Sequence, residues 1–228
     1  MDPGEILNRG RASALAGRHE DALRDLLWFH ENALKHDRAY YGVRLSFALG
    51  YWKELADLYP PALEALHSVK KQSEAALRRG EGGRELFNDV VSINRELGLE
   101  SDTYKLFLAL KRKHLDLTRK VGDLAIEAIV DAGDFKLASK YLPHPESYLL
   151  WLSDRLNDNL EREGVPRERA MRRREAYVHN YCRDVQTTLK ILKGLRNRES
   201  AKAALEWAIA LVRPKRARAM VCAQLISK

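Results

Sequence analysis

The chain of 228 residues is 45% hydrophobic and 32% charged, with only two cysteines. This excludes a disordered chain, a disulfide-stapled scaffold and a membrane-spanning bundle, whose helices need about 20 consecutive apolar residues; the longest run here, Trp207 to Val212, has six. The net charge of +8 sits wholly in the last third, because residues 1 to 144 carry 22 basic and 22 acidic side chains and residues 145 to 228 carry 18 and 10.

Asp2, Glu5, Arg9 and Arg11 stand where an export signal would place its apolar core, so cytoplasmic residence is expected. From Pro3 onward helical stripes recur and no segment alternates with period two, which predicts an all-α fold. Ala22, Leu23, Leu26, Leu27, Ala33 and Leu34 form one stripe between Glu20 and Lys35. Pro60-Pro61 interrupts apolar spacing that runs from Leu55 to Leu77, so one helix should end near Leu58 and another begin at the prolines. Gly80, Gly82 and Gly83 mark a loop over 79–83. Leu86, Phe87, Val90, Val91 and Leu97 make the next stripe. Val121, Ala125, Ala128, Ile129 and Ala132 follow, then Gly133-Asp134 and a second arm from Phe135, Ala138 and Leu142, predicting a helix hairpin.

The turns repeat. Gly17, Gly50 and Gly133 are each followed two residues later by a ring residue (His19, Trp52, Phe135) and five later by a small or apolar one (Ala22, Leu55, Ala138). Gly98 is a weaker fourth instance. Glycine relieves the tight turn at a helix C-terminus, and a small residue five later lets the second helix approach closely. Spacings near 34 residues belong to helix-turn-helix arrays. With Gly10, Gly17 and Ala22 in register around Leu15-Ala16-Gly17-Arg18-His19-Glu20-Asp21-Ala22-Leu23, and a similar stretch at Ala132 to Ala138, the chain resembles the tetratricopeptide repeat family over roughly Glu5 to Leu142. Arg9 and Leu55 depart from the family pattern. The resemblance implies a right-handed α-solenoid of helix hairpins over residues 1–144 whose concave face holds a protein or peptide segment. Residues 145–228 are then a basic C-terminal helical extension packing on the solenoid.

In that extension Tyr148, Leu149, Leu152, Leu156 and Leu160 form a helix ended by Gly164. A long helix is predicted from Arg167 to about Leu195. Its Met171, Val178, Val185 and Leu192 lie seven apart, which suits a helix capping the solenoid or a dimer seam. Residues 200–212 and 215–226 read as a final pair.

No nucleophile motif, metal-ligand set or phosphate loop is present. His179 and Cys182 lie three apart, but zinc needs three or four protein ligands. A noncatalytic chain without cofactor or metal is therefore expected, as monomer or homodimer, binding a protein or peptide in the manner of an immunity-like or chaperone-like partner. Adjacent aromatic residues on a helix cannot all face one core, so Trp28, Tyr40, Tyr41 and Trp52 are the candidate groove residues. Arg167, Arg169, Arg172, Arg173 and Arg174, with Arg162 just before them, are candidates for an acidic partner. Nucleic acid bound by this basic third is the alternative reading.

Overall fold

The computed structural model describes residues 2–161 and 167–226, the side chains of residues 167–170 and 172 excepted. The chain is 84% helix, with thirteen α-helices and no strand among the described residues. It divides into two compact units, Met1–Ala125 and Ile126–Lys228.

The first unit begins with α1 (Pro3–Leu15), whose first turn is closed by the Asp2 carboxylate accepting from the Gly4 N–H. Gly17 adopts φ +75°, and the Arg18 N–H reaches back to the Ser13 carbonyl, so the chain reverses directly into α2 (His19–His36). Close approach is built into this hairpin. A Cβ on Gly10 would stand 3.1 Å from that of Asp25, and Ala22 is fully buried. A 3-10 turn at Arg38–Tyr40 leads to α3 (Tyr41–Arg44) and α4 (Phe47–Ala56). The break expected near Leu58 is present, and α5 (Pro60–Arg78) starts at the prolines, where a missing N–H is harmless. The loop over 79–83 precedes α6 (Arg84–Glu96), and Gly98 at φ +67° turns the chain into α7 (Glu100–Lys113). The division between units falls within α8 (Leu115–Asp131).

Gly50 does not mark a turn. It lies inside α4, its N–H bonded to the Ser46 carbonyl at 2.9 Å, and the reversal falls at 57–59 instead. The glycine-plus-five spacing coincides there with a helix interior that tolerates one glycine at about 1 kcal/mol. The real stop is Pro60, which cannot continue a helix.

Beside the apolar core of this unit sits a sealed polar cluster. Arg44 donates to both Asp89 oxygens, at 2.5 and 2.8 Å, and to the His30 carbonyl at 2.6 Å. The Nη2 that donates to Asp89 Oδ2 also lies 3.2 Å from His30 Nε2. A guanidinium has no lone pair to offer, so Nε2 is the acceptor and the proton of the neutral ring is on Nδ1. Burial, and then the Arg44 charge, lower the His30 pKa to about 3, which keeps the ring neutral.

The second unit contains α9 (Phe135–Ala138), α10 (Pro145–Glu161), α11 (Arg167–Gly194), α12 (Arg198–Ala210) and α13 (Lys215–Ile226). The arm expected after Gly133 is a single helical turn, capped by the Asp134 carboxylate accepting from the Leu137 N–H. Helix α11 is the centre: Val178, Cys182, Val185, Leu189 and Leu192 are buried against α10, α12 and α13. The heptad-like spacing thus serves an intramolecular core rather than a dimer seam. Only Met171 of that series is exposed. Two polar ties complete the unit. Asn157 donates to the Leu211 carbonyl and accepts from the Arg213 N–H, and the Tyr181 hydroxyl donates to the Ala208 carbonyl.

Candidate functional site

The four aromatic residues nominated from sequence do not line one groove. Trp52 is a core residue, 1% exposed, with its indole N–H on the Ala62 carbonyl at 2.9 Å. Its place on the α4 stripe with Leu49, Leu55 and Ala56 explains this. Tyr40 is half-buried and engaged. Its hydroxyl donates to Asp2 and accepts from the Gly4 N–H, and its ring meets Phe29 edge-on. Tyr41 accepts from the Asn88 carboxamide. Trp28 is half-buried beside the His36 ring. These rings fasten the first unit together.

An apolar groove lies elsewhere in the same unit, between α1 and α4. Leu26 and Leu55 form its floor, while Ala14, Leu15, Tyr51 and Leu58 form its sides, around a hollow of about 80 Å³. Leu15 is 81% exposed and Leu58 72%. Phe47, one helical turn before Tyr51 on the same face of α4, is 65% exposed. The rim is polar and ordered. The Arg11 guanidinium sits 4.4 Å above the Tyr51 ring centroid and donates to its hydroxyl at 3.0 Å, and Glu54 stands on the α4 side. Such a surface takes up apolar side chains at its centre and polar groups at its edge. Sequence reasoning missed Leu15, Phe47 and Leu58. Their signal was their position off the stripes that fill the core.

Of the arginine cluster, Arg162 and the side chains of Arg167, Arg169 and Arg172 lie outside the described residues. Arg173 is engaged with its own helix, donating to the Tyr177 hydroxyl at 3.0 Å with its guanidinium 5.8 Å from the ring centroid. Arg174 is half-buried. His179 is exposed, whereas Cys182 is in the core, where burial pushes its thiol up to about 11. A protonated, buried thiol is a packing group rather than a nucleophile. Among the described residues no three His, Cys, Asp or Glu side chains stand together as metal ligands.

A larger cleft, about 690 Å³, lies within the second unit between α10 and α12. Buried Leu149, Leu192 and Ala204 form its floor. Trp207, 40% exposed, lies along one wall, and Glu146 and Glu206 come from opposite walls. His144 is the remaining titratable group on it. No protein-family model, curated protein or solved structure matches the chain. No helix among the described residues is long and apolar enough to cross a membrane.

Proposed function

We propose that the protein is a noncatalytic helical-repeat module of the tetratricopeptide kind, whose α1–α4 groove holds an apolar segment of a partner protein. One observation carries this reading: Leu15 and Leu58, the two most exposed large apolar residues described, line a single groove with an apolar floor, and the exposed Phe47 lies one helical turn from its Tyr51 wall. Exposed apolar residues scattered singly are ordinary, but grouped and rimmed by polar side chains they mark a surface that is covered in use. Stacked helix pairs supply such a preformed surface without ordering cost.

The experiment uses the partner captured by the wild-type chain from its native host and identified by mass spectrometry. Leu15→Glu with Leu58→Glu is expected to weaken its binding by about 100-fold or more, since buried anchors contribute about 2 kcal/mol or more each. Helicity by circular dichroism should be unchanged. The Tyr40→Ala, Tyr41→Ala pair should loosen the fold before it affects binding. Retained affinity in the double glutamate variant overturns the reading. So does a loss of about 10³–10⁵ in affinity between about 50 and 200 mM salt, which signals phosphate contacts and nucleic acid.

A further inference from the structure

We propose that the α10–α12 cleft of the second unit is a docking site for a cationic amphipathic helix of a partner protein. The cleft is open, with buried Leu149 and Leu192 at its base and the exposed Trp207 ring along one wall. Its lining runs along α12 from Asn197 to Ala210, a span of about 20 Å, the length of about 14 helical residues. Ser200, Ala203 and Ala210 on that wall are small, so a second helix can lie close to the α12 backbone. This is the shape used by helix-in-groove recognition.

Charge selects the occupant. The protein carries +8, and residues 145–228 hold 18 basic against 10 acidic side chains, yet the carboxylates on this cleft are Glu146 and Glu206, one on each wall, with no Lys or Arg in the lining. Glu206 has only an exposed contact with Lys202 at 4.0 Å, which is weak and exchangeable. An apolar helix with lysine or arginine on either side of its stripe satisfies both walls. An acidic helix would meet two carboxylates at the rim. The site is independent of the α1–α4 groove, and the two readings fail separately.

The test uses the full-length chain and two labelled model peptides of about 14 residues with leucine at helical a and d positions. One peptide has lysine at the flanking positions and the other has glutamate. Fluorescence anisotropy at about 150 mM salt is expected to show saturable one-to-one binding of the lysine peptide, at least about tenfold tighter than the glutamate peptide. Overall charge is a shared background for every variant that leaves it unchanged. Glu146→Lys with Glu206→Lys should reverse the order of the two peptides. Ala203→Trp fills the cleft from an exposed position and should weaken binding at least about tenfold with unchanged helicity and melting temperature. The Leu15→Glu, Leu58→Glu variant should bind the lysine peptide like the wild type. Equal binding of both peptides, absence of binding, or indifference to Ala203→Trp overturns the proposal. A concentration-dependent dimer abolished by Ala203→Trp also overturns it, by assigning the cleft to a second copy of the chain.

Discussion

In the first unit α2, α3 and α6 are tied by a full charge pair, Arg44 with Asp89, sealed beside a neutral histidine. In the second the buried ties are neutral, the Asn157 carboxamide joining α10 to the α12–α13 connection and the Tyr181 hydroxyl joining α11 to α12, while the ion pairs of Arg213 with Asp158 and Glu161 lie exposed. The nearly charge-balanced unit, with 20 basic and 19 acidic side chains over residues 1–125, buries a charge pair. The unit with 20 basic and 13 acidic side chains over residues 126–228 holds its core with neutral groups. Net charge along a sequence reports what the surface presents to solvent, and says nothing about how the interior is fastened. Titration follows the same division. Hydrogen bonds from arginine or lysine hold Asp25, Glu85 and Asp102 of the first unit below the ordinary carboxylate range. Burial raises Asp184 in the second.

The largest test of this contrast removes one tie from each unit. Asp89→Ala leaves Arg44 buried and uncompensated and should cost about 3–5 kcal/mol in urea denaturation. Asn157→Leu leaves one carbonyl and one N–H without partners and should cost about 1–3 kcal/mol. Equal costs would erase the distinction. A smaller effect, where the units should agree, comes from the turns. Gly17→Ala and Gly133→Ala, at φ +75° and +76°, should each lower stability by about 1–2 kcal/mol. Gly50→Ala should instead raise it by about 0.5–1 kcal/mol, because the position is helical and a Cβ there meets nothing within 4 Å. A destabilised Gly50→Ala would return the turn to that residue.

The smallest effect is in the pH dependence, and the two units differ in sign. Asp25, lowered by the hydrogen bonds from Arg9, contributes stability that is present above its ordinary value of 3.8 and is lost as pH falls through its lower folded value. Arg9→Met should flatten this acid limb. Asp184, raised by burial, contributes stability that is present below 3.8 and is lost as pH rises through its higher folded value. Asp184→Asn should therefore raise stability at neutral pH. Urea midpoints of both variants between about pH 2 and pH 7 check the two signs, and parallel curves would contradict them.

The helix boundaries were legible because proline and glycine act locally: Pro60, Pro145 and Gly133 set chain direction whatever packs around them. Gly50 misled because spacing cannot distinguish a glycine that turns the chain from one that a helix tolerates. Adjacent rings on a helix diverge, and Phe29 is in the core while Trp28 is half-buried. Helix spacing does not show that Tyr40 and Tyr41 use their hydroxyls on Asp2 and Asn88, since those partners lie 38 and 47 residues away. The α10–α12 cleft was hidden for a similar reason. Its walls come from helices whose buried stripes are visible in sequence, but the gap that they leave depends on how α11 spaces them.

Arg44 and its counter-ion are 45 residues apart, which sets an order of events during synthesis. At about 5–20 residues per second, Asp89 follows Arg44 from the ribosome after roughly 2–9 s. Until it arrives, sealing α3 against α2 would bury a guanidinium without its carboxylate, a state that costs several kcal/mol. The nascent corner around His30 consequently stays hydrated through that interval and closes only when α6 docks. An array of autonomous hairpins would consolidate one pair at a time from the N-terminus; here α2 can pack on α1, but its corner with α3 is expected to close only when the sixth helix arrives.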